Sequence, residues 1–128
     1  MTEGSALLLV DDEAYFAIVF QQELLDNGYQ VMVAPDAETA LRYLADNSFR
    51  LVISDWYLPG MQGDELITEI QLRYPATMTL LMSSHAHVNE AAHRCHAHAW
   101  FRKYDGLDRF RTVVAAALHR QMVSWVPA

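Results

Sequence analysis

The sequence predicts an α/β doubly wound three-layer sandwich, a parallel sheet covered by helices on both faces. Two observations lead there. Five short apolar runs alternate with longer stretches whose apolar residues recur at helical spacing. The runs are apolar throughout and do not alternate with polar residues, as strands buried on both faces must be. Right-handed crossovers between such strands place the helices on both sides of the sheet.

The first strand is Leu7-Leu8-Leu9-Val10, ending abruptly at Asp11-Asp12-Glu13. A helix over roughly 14 to 26 follows, with Phe16, Val19, Phe20 and Leu24 spaced by threes and fours and Gly28 closing its end. The second strand runs from Gln30 to Ala34. Pro35-Asp36 opens the next helix, with Asp36 as N-cap and Leu41, Tyr43 and Leu44 inside it. Leu51-Val52-Ile53 forms the third strand and runs into Asp55. Pro59, Gly60 and Gly63 mark a loop, and Leu66, Ile67, Ile70 and Leu72 define the third helix. Met78 to Met82 is the fourth strand, ending at Ser83-Ser84, and a helix around 88 to 98 comes next. Trp100-Phe101 makes the fifth strand. Leu107 to about Val123 is the last helix, with Phe110, Val113, Val114, Ala117 and Leu118 on one face.

At 128 residues the chain reads as one domain with its core over about 6–123, and it shows no internal repeat or linker. A chain of this size hides about two-thirds of its surface on folding, enough for a core without staples. The single Cys95 forms no intrachain disulfide and reads as a small buried apolar residue. No secretory leader precedes the first apolar run, so the expected compartment is the cytoplasm. No run approaches the length of a membrane span. A net charge of −7 argues against direct nucleic-acid binding, which needs a basic stripe. Trp125-Val126-Pro127 fits either a natural end or the start of a linker, which would make this the N-terminal part of a longer protein.

In doubly wound sheets function gathers where strands end at the carboxyl edge. Asp11, Asp12, Asp55, Ser83 and Lys103 fall there. Three clustered carboxylates repel one another, by ~4 kcal/mol per pair 4 Å apart at an effective dielectric near 20. Such a cluster calls for a cation, and Mg²⁺ takes carboxylate oxygens together with water and phosphate. Ser83 and Lys103 add a hydroxyl donor and a positive charge suited to phosphoryl oxygens.

These residues resemble those of a response-regulator receiver domain, the phosphoacceptor module of two-component signalling. The landmarks are Leu8-Leu9-Val10-Asp11-Asp12-Glu13, Asp55-Trp56-Tyr57-Leu58-Pro59-Gly60-Met61-Gln62-Gly63, Met82-Ser83-Ser84 and Lys103, within a likeness covering about 7–118. The resemblance implies a flavodoxin-like sheet of five strands in order 2-1-3-4-5 with five helices. It implies that a sensor histidine kinase or a phosphotransfer protein phosphorylates Asp55. Asp11, Asp12, Asp55 and the Tyr57 backbone carbonyl would hold Mg²⁺. Ser83 and Lys103 would bind the phosphoryl group, Trp100 would be the switch aromatic, and Tyr57 and His85 would flank the pocket. The domain would then signal to a downstream effector domain or protein. It would dephosphorylate itself slowly and would not be a turnover enzyme.

Three departures stand out. Tyr104 replaces the family's usual proline after the lysine, which points to a trans bond and a reshaped loop. The spacing of 20 positions from Ser83 to Lys103 is shorter than usual, so the fourth helix or its loop is trimmed. Tyr57 and His85 are bulky. An alternative is a degenerate receiver, an interaction module that works without phosphorylation. A second is a hydrolase with an aspartyl-phosphate nucleophile, but that chemistry uses an aspartate two residues on, where Tyr57 stands. The histidines at 85, 87, 93, 96 and 98 suggest a transition-metal site, with His93 and His96 on one helix face, yet no cysteine spacing accompanies them.

Overall fold

A computed structural model describes residues 6–123 of the chain. Five strands, β1 (Ala6–Val10), β2 (Gln30–Ala34), β3 (Leu51–Asp55), β4 (Met78–Ser83) and β5 (Ala99–Arg102), pair in parallel in the order β2-β1-β3-β4-β5. Helices α1 (Ala14–Asp26), α2 (Ala37–Asp46), α3 (Gly63–Arg73), α4 (Val88–Arg94) and α5 (Leu107–Val123) fill the crossovers. The residues read as a natural end or a linker, Trp125 to Pro127, lie outside the described residues.

Successive strand residues face opposite layers, and the core divides accordingly. Leu7, Leu9, Ile53, Leu80 and Phe101 pack with Phe20 and Leu24 of α1 and Phe110 and Val114 of α5. Leu8, Val10 and Val52 pack with Ala40 and Leu44 of α2 and Leu66 and Ile70 of α3. A smaller cluster joins Leu81 to Ile67 and to Val88, Ala91 and Ala92 of α4, with buried Cys95 among them. Asp36 caps α2 as expected, its carboxylate accepting from the Thr39 N–H at 2.8 Å. The third helix falls where Leu66, Ile67, Ile70 and Leu72 marked it, with Gly63, Leu66, Ile67 and Ile70 on its buried face and Leu72 exposed.

The fourth helix is shorter than the sequence suggests, ending at Arg94 instead of near 98. His96 takes a left-handed conformation at φ 60°. The Ala97 N–H then donates to the Ala92 carbonyl at 2.9 Å and the His96 N–H to that of His93 at 3.2 Å. That is the ordinary glycine-type helix stop, made here by a histidine. α1 ends in the same way, through Gly28 at φ 88°. His93 and His96 therefore share no helix face. After β5, Lys103–Asp105 form a 3₁₀ turn, and every described peptide bond is trans, as the tyrosine at 104 suggested.

His98 ties this shortened segment to the sheet. Its Nδ1 accepts from the Thr79 backbone N–H at 3.0 Å, and its own N–H donates to the Thr79 carbonyl at 3.0 Å. The proton of the neutral ring is thus assigned to Nε2. Burial first, and then the charge of Arg120, hold its pKa below the ordinary histidine value of 6.5. Protonation would put a hydrogen on Nδ1 against the Thr79 donor. A lowered folded pKa contributes stability that is complete above the unfolded value and is lost as pH falls through the folded one. We expect wild type to lose more stability than His98→Asn as pH falls below the ordinary histidine value of 6.5. Paired urea titrations above and below that pH check this, and parallel losses in both proteins would contradict it.

Candidate functional site

The carboxyl ends of β1 and β3 lie side by side, with Val10 paired to Ser54. Asp11 follows β1 directly, and its N–H still donates to the Ala34 carbonyl at 3.1 Å, so the strand register fixes it. Asp55 is the last residue of β3 and is 4% exposed. The loop behind it is braced. The Trp56 N–H donates to the Met82 carbonyl and the Gly63 N–H to the Trp56 carbonyl, both at 2.8 Å. Gln62 Nε2 donates to the Leu58 carbonyl at 2.9 Å.

Asp11, Asp12 and Asp55 each bring a carboxylate oxygen to within 4.8 Å of the other two, the first and last buried and Asp12 exposed. Lys103, 4% exposed, inserts its ammonium from the end of β5. Nζ lies 2.8 Å from Glu13 Oε1, 2.9 Å from Asp11 Oδ2 and 3.2 Å from Asp55 Oδ2, and 4.5 Å from the centre of the Phe16 ring. Only the contact with Glu13 has hydrogen-bond geometry. Asp11 Oδ2 is near the ammonium but off any donor direction, so a buried carboxylate oxygen has no hydrogen-bond partner.

The electrostatics follow from burial. Desolvation pushes Asp55 up to about 7, helped by the neighbouring Asp11 charge and opposed by Lys103. Burial also raises Asp11. Burial alone would lower Lys103, but the carboxylates of Glu13, Asp11 and Asp55 outweigh it and raise its pKa. A buried carboxylate oxygen without a donor, in a set of three hard oxygen ligands, fits a divalent cation. Among the described residues this is the one group of three His, Cys, Asp or Glu side chains close enough to hold a metal. The histidines do not form another, and His87 Nδ1 contacts Glu90 Oε1 at 2.6 Å instead.

Ser83 is buried at the end of β4, where its Oγ accepts from the His85 N–H at 3.0 Å. Among the described residues its Oγ donates no hydrogen bond, to Asp55 or to any other group. Tyr57 stacks on Trp56 at 4.8 Å, and His85 meets both rings edge-on at 5.6 and 6.1 Å, building an aromatic rim beside Asp55. No described residue donates to the Tyr57 carbonyl. Trp100 faces the other way. It packs toward α4 with Leu81 and Val88, under the Arg102 guanidinium, and the structure does not bring it to the acidic cluster. Glu13 is the residue that sequence reading missed. It reads as an acid at the start of α1, yet it makes no side-chain cap there and reaches Lys103 instead.

Residues 7–114 match the model of the response regulator receiver domain. The chain belongs to that family. This receiver domain is 39% identical over 88 residues to the response regulator protein FleR of Pseudomonas aeruginosa, a match covering 69% of the chain and 19% of FleR. It therefore spans about a fifth of that relative's length. The signal receiver domain of an HD domain-containing protein from Pseudomonas fluorescens Pf-5 is 28% identical with a TM-score of 0.88, covering 97% of this chain and 93% of that one. The response regulator protein TrrA from Thermotoga maritima, solved in complex with Mg²⁺ and BeF, is 25% identical with a TM-score of 0.81, over 88% and 98% of the two chains. The strand order and the five helices anticipated from the resemblance are those observed.

Proposed function

We propose that Asp55 accepts a phosphoryl group from a phosphohistidine on a sensor histidine kinase or phosphotransfer protein, and that the product signals to a downstream effector domain or protein. The observation that carries this reading is a buried strand-end carboxylate in contact with a buried lysine and beside two further acids. Asp55 attacks phosphorus through a carboxylate oxygen, and the bond from phosphorus to the donor imidazole breaks. Asp11, Asp12, Asp55 and the Tyr57 carbonyl are the residues that would hold Mg²⁺. Bound there, Mg²⁺ would neutralise charge on the acceptor and on the phosphoryl oxygens. Lys103 opposes the same repulsion from the other side, and the Ser83 hydroxyl is available to donate to a phosphoryl oxygen. Trp100 then responds at a distance. TrrA, bound to Mg²⁺ and BeF, supports the metal assignment by its likeness to this chain.

Tyr57 and His85 would limit the approach of water to a phosphoryl group on Asp55, and Tyr57 stands where an aspartyl-phosphate hydrolase would need a second aspartate. Both favour slow self-dephosphorylation over turnover. Tyr15, Ile18 and Leu25 leave an exposed apolar stripe on α1, and Tyr104 extends it beside Phe16, a surface suited to a helical protein donor. Among the described residues no helix is long and apolar enough to cross a membrane, and we place the domain in the cytoplasm.

Mg²⁺ should change the fluorescence of Trp56, which adjoins Asp55. Asp12→Ala should weaken that titration about tenfold or more, in line with losses seen when metal-site partners are removed. Identical titrations would show that the metal sits elsewhere. Acetyl phosphate with Mg²⁺ should add one acid-stable, base-labile phosphoryl group per chain, and Asp55→Asn should add none. Wild type that binds Mg²⁺ but stays unmodified by both acetyl phosphate and histidine kinases would favour an interaction module that works without phosphorylation. The reshaped turn at Tyr104 and the short α4 are the features consistent with that second reading.

A further inference from the structure

An ammonium has three N–H donors, and three carboxylates surround that of Lys103. They are not equivalent. The side chains of Asp11 and Asp55 are 0% and 6% exposed and follow from strand ends, whereas that of Glu13 is 54% exposed. The hydrogen bond with proper geometry goes to the exposed one. A phosphoryl oxygen on Asp55 that is to bond Lys103 needs a donor turned toward it. Releasing Asp11 or Asp55 would leave a buried charge unpaired, while a released Glu13 carboxylate is solvated by water. The exchange therefore falls on Glu13.

We propose that Glu13 is a displaceable latch on Lys103, a positioning residue that holds the ammonium's directed hydrogen bond in the unmodified domain and yields it to the phosphoryl group. This rests on the reading of Asp55 as the acceptor. The backbone of Glu13 stays in place during the exchange, since its N–H is bound to Asp11 Oδ1 at 2.9 Å and its carbonyl to the Ala17 N–H at 3.0 Å. Only the side chain turns. The latch competes with the product for Lys103 and so weakens phosphoryl binding in the resting state.

Glu13→Asp separates the latch from the charge. It keeps the negative charge but is one methylene shorter, and at the residue before α1 an aspartate turns back to cap the helix, a bond that Glu13 does not make. The variant therefore keeps its fold. With Mg²⁺ present, Glu13→Asp and Glu13→Ala should both bind beryllofluoride about three- to tenfold tighter than wild type, the worth of one hydrogen bond no longer exchanged. In metal-free protein the Lys103 ammonium protons, followed by ¹⁵N NMR, should exchange with water faster in both variants. Unchanged affinity in both variants overturns the latch, and so does tightening in Glu13→Ala alone, which would assign the effect to charge. Wild type that shows no beryllofluoride binding abolished by Asp55→Asn overturns the acceptor reading, and the latch with it.

Discussion

Gly63→Ala should lose about 3 kcal/mol or more of unfolding free energy, the upper end of what overpacking a tight site costs. A methyl group on Gly63 would lie 1.9 Å from the Asp55 carbonyl oxygen and 2.9 Å from Ser54 Oγ. The first of these is backbone, so the collision cannot be relieved by a side-chain rotation. Either α3 moves away from the sheet or the end of β3 shifts, and the second outcome carries Asp55 out of register with Asp11. Mg²⁺ affinity should therefore fall along with stability. Gly60→Ala is the control. Its position has φ +75°, but the nearest atom a methyl would meet is Glu38 Oε1 at 4.0 Å. It should cost only the ~1–2 kcal/mol of a left-handed alanine and leave Mg²⁺ affinity unchanged. Equal losses in the two variants, by urea titration, would contradict the packing argument.

Asp55→Asn should make the metal-free protein more stable at pH 8, by about 2 kcal/mol. A carboxyl that ionises near 7 in the fold and near 3.8 in the open chain leaves its charged form about 4 kcal/mol poorer in the fold. That difference already includes the attraction of Lys103, and the buried amide's own N–H donors, short of partners, take back part of the gain. The sign is that of a raised folded pKa: stability from this group is complete below pH 3.8 and is lost as pH rises through about 7. Asp55→Asn should flatten that fall, and saturating Mg²⁺ should reverse the order of the two proteins. Chemical denaturation at pH 5 and 8, with EDTA and then with Mg²⁺, reads all of this. A variant less stable than wild type at pH 8 without metal would show that Asp55 is a structural carboxylate.

This cost at the acceptor is of the kind that makes a site readable. Strands with no polar face stop at acids, which no packing rule asks for, and those acids proved to converge because parallel register brings the strand ends together. What the sequence left hidden has physical reasons. The Glu13–Lys103 contact joins residues 90 positions apart, and nothing local marks it. The early end of α4 depends on His96 accepting a positive φ, which the usual glycine signal would have announced. Trp100 was readable as a strand residue, and its side chain is placed by the packing of α4 and Arg102.

The most direct test is to map the phosphoryl group itself. Wild-type protein incubated with acetyl phosphate, with Mg²⁺ and with EDTA, would be treated with borohydride to reduce any acyl phosphate and then digested for peptide mass analysis. A single modified residue is expected, Asp55, labelled only with Mg²⁺. Label on another carboxylate, or equal labelling of Asp55 in EDTA, would contradict it.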